Sequence, residues 1–383
     1  MSQTKIKVAV AGVGFIGPVH IESLRRLGNV EVVAIMHPEA NAKEKAQQLN
    51  VPNAYMDFET MLREADFQCV HICTPNNLHY PMAKAALLAG KHVVCEKPLA
   101  TTIKEAEELI ALAEKQKVVH AVNFNVRYYP LVRQMKVMRE KGELGKFHSI
   151  MGSYLQDWLF LDTDYNWRLE PDKSGESKAI ADIGSHLMDL IEYISGLRVT
   201  QVMADFSTVH PIRKKPLKPM ETYSGKLLSA EDYAPVPIHT EDYASVLLRF
   251  DDGSKGVVTV SQVAAGRKNR CSIELSCSKQ SIAWTSEAPN EMWIGKRETA
   301  NGSFMRDPSL VDGSVRSLIT YPGGHNEGFG DTSKQLYKEI YAAVEKGVQP
   351  QNPSYPTFHD GLRELLVCER IVDSHKQQKW VNV

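Results

Sequence analysis

What this chain lacks narrows its function before any motif is read. Six cysteines occur in 383 residues, but none forms a C-x-x-C pair, and no spacing suggests a disulfide framework or a zinc site. Cys69, Cys73 and Cys95 lie in apolar runs, where thiols pack as small hydrophobes. A reducing, cytoplasmic setting is therefore expected. Formal net charge is −1, without a concentrated basic block, so neither nucleic acid nor an anionic membrane is an expected partner. Arg213, Lys214 and Lys215 sit between Pro211 and Pro216 and read as a solvated loop. No apolar run approaches the ~20 residues that cross a bilayer. The N-terminus enters a strand without the apolar segment of a signal peptide. No metal is expected, because no further ligand stands at convincing spacing from the histidines and carboxylates.

What is present is an ordinary globular balance, 43% hydrophobic and 24% charged, in a chain long enough for two domains. The first third alternates two periods. Strands are predicted at 7–11, 30–35, 69–73, 92–95 and 118–122, with helices at 18–27, 39–49, 78–89 and 102–116 and a short helix capped by Asp57. Such alternation marks a parallel sheet covered on both faces. Beyond about residue 125, after a helix at 130–141, strand-like runs dominate: 147–156, 199–209, 243–250, 256–263, 271–277 and 281–284. Helices are predicted at 183–195 and 361–374. The residues Asp251 to Ser254, and Lys279 with Gln280, have turn chemistry, so the strands around them form hairpins. Residues 211–237 are rich in proline and lysine and read as an irregular excursion. The expected fold class is α/β. A doubly wound parallel sheet fills residues 1–124, and an α+β domain with a large, mostly antiparallel open sheet fills 125–383. Whether the last helix packs back on the first domain is left open.

Gly12, Gly14 and Gly17 form a G-x-G-x-x-G loop, with Phe15 and Ile16 inside it, between the first strand and the first helix. The glycines allow a tight turn, close approach of a pyrophosphate to the backbone, and close packing of helix on sheet. The helix N-terminus adds N–H groups and the positive end of a dipole. The βαβ unit closes at the second strand, so the loop reads as a dinucleotide site. The acid expected to end the second strand and bind the ribose 2′-hydroxyl is missing. Met36, His37 and Pro38 stand there, Glu39 comes late, and no arginine replaces it. NAD is the expected cofactor, with NADP as the open alternative.

In such a sheet, ligands bind beyond the carboxyl ends of the strands. Thr74, Pro75 and Asn76 follow one strand, and Glu96, Lys97 and Pro98 follow another. Pro98 restricts Lys97 to extended backbone, which directs its stem. Taken alone, this stretch is better explained by a strand end reaching water. Farther on, Asp182, His186 and Asp189 share a helical stripe distinct from the apolar face of Ile183, Leu187, Leu190, Ile191 and Ile194. Asp182 and His186, one turn apart, suit proton transfer. A helix cap and a core histidine are the plain alternatives. Hydride transfer from a secondary alcohol needs a base for the hydroxyl proton and a charge facing the developing alkoxide. Lys97, Asp182 and His186 could supply both.

Together these motifs resemble the Gfo/Idh/MocA oxidoreductases, the glucose–fructose oxidoreductase and inositol dehydrogenase superfamily. The resemblance runs over nearly the whole chain and also takes in His79, Asn123 to Arg127, and Pro356 to Gly361. It implies a Rossmann domain followed by an open-sheet domain that often mediates dimers or tetramers. It also implies NAD(P)-dependent oxidation or reduction at a secondary hydroxyl or ketone of a sugar, anhydrosugar or cyclitol. By this matching Lys97 takes the family's catalytic lysine role, with Asp182 and His186 as its aspartate–histidine pair. His37, Thr74, Pro75, Asn76, His79, Glu96, Lys97 and Asn125 are implied on the cofactor side. The residues Ser153 to Trp158 and Asn166 to Arg168 look most like the levoglucosan dehydrogenase branch. Arg127, Gln156, Asp157 and Arg168 are then expected at substrate hydroxyls, and Trp158 or Trp167 as an apolar plate for a sugar ring. The plain alternative makes both tryptophans core residues. Two other readings use the same residues: NAD-assisted glycoside cleavage without net redox change, and a non-catalytic NAD(P)-binding sensor.

Overall fold

The computed structural model describes residues 5–217 and 229–383. The chain divides into two compact units. One comprises Met1–Asn125, Asp172–Gly175 and Gly330–Leu365; the other comprises Val126–Pro171, Glu176–Phe329 and Leu366–Val383.

In the first unit, β1 (Ile6–Ala11), β2 (Val30–Met36), β3 (Asn53–Tyr55), β4 (Cys69–Ile72), β5 (His92–Cys95) and β6 (His120–Val122) form one sheet. Its order is β3-β2-β1-β4-β5-β6 and every pairing is parallel. Strand order therefore reverses between β1 and β4, the switch point beyond which ligands bind. Parallel strands covered on both faces need continuous apolar runs, and Val93, Val94 and Cys95 are fully buried. Helix starts are locally encoded. Asp57 accepts the Thr60 N–H at 2.8 Å, and Thr102 and Glu105 form a reciprocal capping box at the helix Ile103–Gln116. β3 is too short to stand out as an apolar run. The helix Phe329–Val344 has no counterpart among the predicted elements, because buried Thr332, Ser333 and Gln335 interrupt its apolar stripe.

In the second unit, nine strands form one sheet: β7 (Phe147–Leu155), β8 (Val199–Ser207), β11 (Tyr243–Phe250), β12 (Lys255–Ser261), β13 (Arg270–Cys277), β14 (Ser281–Thr285), β15 (Glu291–Gly295), β16 (Gly302–Met305) and β17 (Val381–Asn382). The order is β16-β15-β14-β13-β7-β12-β11-β8-β17. β7 and β12 run parallel, and the remaining pairs are antiparallel. Both expected hairpins are present, β11–β12 and β13–β14. One face packs on the helices Pro130–Glu140 and Ser185–Ser195 through Leu131, Met135, Leu187 and Ile191. At Gly152 on β7 a Cβ would stand 2.9 Å from Leu187 Cδ1, so a larger residue there would have to displace the leucine side chain that packs the helix on the sheet.

Two expectations are corrected here. Residues 211–237 are not wholly irregular: β9 (Ile212–Pro216) and β10 (Tyr233–Pro237) pair antiparallel. A two-stranded ribbon has only edges, so its prolines break no interior ladder; residues 218–228 lie outside the described residues. Nor is the basic run wholly solvated. Lys214 and Lys215 pair with Asp162 and Glu170, but Arg213 is fully buried against Asp242, which it reaches at 2.8 Å.

Candidate active site

The glycine loop closes between β1 and the helix Ile16–Arg25. Gly12 adopts φ +89°, and a Cβ there would meet the Cys73 carbonyl group at 2.7 Å. A Cβ on Gly17 would lie 2.1 Å from Gly12 O, whereas one on Gly14 would meet nothing within 4 Å. The outer glycines are thus needed for packing, and the middle one leaves backbone open to a ligand. The helix has no side-chain cap and no acid in its first turn. This open cradle of N–H groups fits dinucleotide phosphates. Beyond the end of β2, Glu39 brings a carboxylate oxygen to 3.5 Å from His37 Nε2.

The turns after β4 and β5 are tied together. The two ring nitrogens of buried His79 lie 2.7 Å from Pro98 O and 2.9 Å from Thr74 O. Burial pushes the imidazole of His79 down, despite the two carbonyls. His79 therefore shapes the strand-end turns, with its ring nitrogens on backbone. Asn76 likewise donates to Ser174 O at 3.0 Å, and Asn125 to the Thr332 hydroxyl at 2.8 Å. Phe15 is exposed at the loop and Lys97 is half-buried after β5, with a cis bond to Pro98. Glu96 is buried. Burial alone would push its carboxyl up, but hydrogen bonds from His20 and Asn123 and the charges of His20 and Lys97 hold it down to about 2. Its stabilising contribution is then complete above the ordinary value of 4.5 and is lost as pH falls through about 2. Thermal melts of Glu96→Gln should lie below wild type at neutral pH, and the gap should close as pH falls from 4.5 toward 2.

The second unit places Asp182 and His186 at the start of one helix. The expected helix at 183–195 opens as a π-helical turn, Ile180–Gly184, before α-helix Ser185–Ser195. Glu241 holds the entry: its Oε1 accepts from Ser177 Oγ at 2.7 Å, Lys178 N at 2.9 Å and Ile180 N at 2.8 Å. Burial raises the Glu241 carboxyl. Asp182 is clamped on both oxygens, by Arg168 Nε at 3.1 Å and Gln262 Nε2 at 2.9 Å. The Arg168 guanidinium in turn lies 4.6 Å over the Trp167 ring. The half-buried His186 ring lies 6.2 Å from that of Tyr154.

Other expected substrate residues are engaged elsewhere. Arg127 forms a fork on Asp189, with Nε at 2.8 and 3.0 Å from its two oxygens. Asp157 accepts from Gly266 N and from Lys268 Nζ. Gln156 is 1% exposed and donates to Asn269, while its Oε1 has no hydrogen-bond partner among the described residues. Trp158 and Trp167 are half-buried, neither core nor open surface. Gln262, Glu241, His20 and His71 were missed by the sequence reading. Gln262 lies 80 residues from Asp182, and nothing local marks it. His20 falls on the buried face of the first helix, so its position signals burial but not its partners. Among the described residues no group of three His, Cys, Asp or Glu could hold a metal ion, and no helix is long and apolar enough to cross a membrane.

Comparison with known proteins decides the lineage. Residues 6–124 match the oxidoreductase family with NAD-binding Rossmann fold, and residues 132–283 match the GFO/IDH/MocA C-terminal domain. An uncharacterised oxidoreductase of Synechocystis is 31% identical across 99% of this chain and 96% of its own. The chain belongs to the Gfo/Idh/MocA oxidoreductase family. It is an NAD-binding oxidoreductase with a Rossmann unit and a largely antiparallel sheet unit. Levoglucosan dehydrogenase of Pseudarthrobacter phenanthrenivorans is 28% identical, covering 99% of this chain and 98% of that enzyme. A structure of levoglucosan dehydrogenase with NADH and levoglucosan superposes with a TM-score of 0.87 at 27% identity, over 99% of this chain and 100% of that one.

Proposed function

We propose that this Gfo/Idh/MocA oxidoreductase oxidises a secondary hydroxyl of a sugar, anhydrosugar or cyclitol, with Lys97, Asp182 and His186 as its catalytic residues. The observation that carries this reading is the clamped turn of Asp182, one helical turn before His186. NAD, when bound, supplies nicotinamide C4 as the hydride acceptor. His186 takes the hydroxyl proton. Asp182, unable to rotate between Arg168 and Gln262, orients substrate or imidazole. Lys97 directs a cation at the oxygen where negative charge grows. The named relatives, levoglucosan dehydrogenase among them, support a carbohydrate substrate, as does the Trp167–Arg168 stack, an apolar plate beside a hydrogen-bonding fork. A panel of sugars, anhydrosugars and inositols, followed by NADH absorbance, tests the assignment. Turnover of at least one class supports it; tight NAD binding without turnover of any would favour a sensor.

The Glu39 carboxylate by His37 supports NAD over NADP, because a 2′-phosphate would meet like charge there. NADP should bind at least about tenfold more weakly, a difference of about 1.4 kcal/mol, and Glu39→Lys should narrow the gap in fluorescence titrations. Six buried free cysteines support a cytoplasmic location. The outer face of the nine-stranded sheet exposes Met151, Leu247, Val257 and Trp293 and carries a depression of ≈560 Å³. We assign this face to a second copy of the chain, in a dimer or tetramer. Leu247→Glu with Trp293→Glu should then sediment as monomer with an unchanged far-ultraviolet dichroism spectrum.

A further inference from the structure

Beside Lys97, the first unit buries a chain of titratable side chains that the reaction above does not use. His20 on the helix Ile16–Arg25 and His71 on β4 are both 0% exposed. His20 Nε2 lies 2.9 Å from Glu96 Oε1, and His20 Nδ1 lies 2.8 Å from His71 Nδ1. His71 Nε2 lies 2.9 Å from the Tyr341 hydroxyl. Asn123 donates to Glu96 Oε1 at 2.5 Å and accepts from the Tyr337 hydroxyl at 3.3 Å. Glu96 Oε2 accepts the backbone N–H of Lys97 itself at 3.2 Å. The groups facing this cluster are His71 from β4, Glu96 and Lys97 after β5, His79, Tyr337 and Tyr341, with Cys73 and Cys95 next to Glu96.

These distances constrain the protons. Two Nδ1 atoms at 2.8 Å must share one proton. Glu96 is ionised, so His20 Nε2 carries a proton and donates it. Burial, and then the charge of His20, keeps His71 neutral. Where His71 Nε2–H donates to Tyr341, its Nδ1 is a bare acceptor and the remaining N–H belongs to His20; where the Tyr341 hydroxyl donates instead, that N–H belongs to His71 and His20 is neutral. The first arrangement makes His20 an imidazolium whose two donors both meet acceptors, and it is the one proposed below. It cancels the Glu96 charge one residue from Lys97.

We propose that His20 is the counter-ion of Glu96, and that this buried pair, held in register by His71, sets the charge presented to Lys97 and so the pH at which Lys97 acts. His20 and His71 are positioning residues; the proposal rests on the catalytic reading of Lys97. His20→Asn keeps a donor toward Glu96 but unmasks its charge. The Lys97 ammonium is then retained to higher pH. The pH of half-maximal acetylation of Lys97 by acetic anhydride, read by peptide mass spectrometry on the full chain, should rise by about one unit. The alkaline limb of the kcat profile, where the Lys97 ammonium is lost, should move the same way. The double variant His20→Asn/Glu96→Gln, uncharged again, should return both profiles toward wild type. His20→Gln repeats the test if His20→Asn does not fold. A merely structural role would lower thermal stability and kcat further in the double variant and leave both profiles unmoved; that result would overturn the proposal. The acetylation profile needs no substrate. A rise reversed in the double variant, without turnover of any polyol, would sink the dehydrogenase reading and leave the counter-ion role standing.

Discussion

Lys97→Ala should lower kcat by about 10²–10⁴-fold, the range lost when a positioned proton-transfer or charge-stabilising group is removed. Binding of NAD should change little, because the groups that cradle phosphate are elsewhere: Gly12, Gly14, Gly17 and the start of the helix Ile16–Arg25. Lys97 follows β5, and its backbone is held by Glu96 Oε2, so truncating the side chain leaves the turn intact. The loss should therefore fall on kcat and far less on the cofactor Kd, as steady-state rates and fluorescence titration would show. Lys97→Arg should recover only part of the activity, since a planar fork cannot reproduce a compact ammonium. Near-wild-type turnover in Lys97→Ala would remove the lysine from the mechanism.

The largest stability effect is expected at Asp242. Lys178, Arg213 and Asp242 form a triad in which all three side chains are 0% exposed. Burial alone would raise the Asp242 carboxyl, but Lys178 and Arg213 hold it below the ordinary range. Burial draws the Lys178 ammonium down despite its partner. Asp242→Ala leaves two buried cations facing each other and should destabilise the unit by about 3–5 kcal/mol. The carboxylate also accepts the N–H groups of Val209 and His210 at 2.8 and 3.2 Å. The damage should reach Asp182 by two routes. Lys178 O accepts the Asp182 N–H at 2.8 Å, and Gln262, which clamps Asp182, donates its own N–H to Asp242 O at 2.9 Å. The wild-type contribution is present above the ordinary carboxylate range and fades as pH falls through the lowered folded value. Urea unfolding at neutral pH and near pH 3 checks both size and sign. A loss under about 1 kcal/mol at neutral pH would mean that the triad contributes little.

Local chemistry was legible in the sequence wherever a physical rule acts over a few residues. The glycine loop, the Asp57 cap and the hairpin turn at 251–254 rest on backbone geometry, and each is present. Lys97 at a strand end and Asp182 with His186 on one turn were readable for the same reason. What the sequence hid depends on distant partners. A buried arginine looks like a solvated one until Asp242 is found 29 residues away. Arg127 looked available to substrate, but Asp189 lies 62 residues on and takes its guanidinium. The helix Phe329–Val344 was missed because its buried polar residues serve partners such as Asn125, so its stripe does not read as apolar. The π-turn at Ile180–Gly184 has no compositional mark; Glu241, which holds its entry, lies 61 residues from Ile180.

The claim at the centre is that a carbinol hydride moves to nicotinamide. It is tested most directly by offering NAD with the polyol that turns over, deuterated at the carbon that becomes the ketone. The account predicts one deuterium at nicotinamide C4 for each NADH formed, with a ketone product and a primary isotope effect on the hydride step. Unlabelled NADH, or a cleaved glycoside with NAD left oxidised, would contradict it.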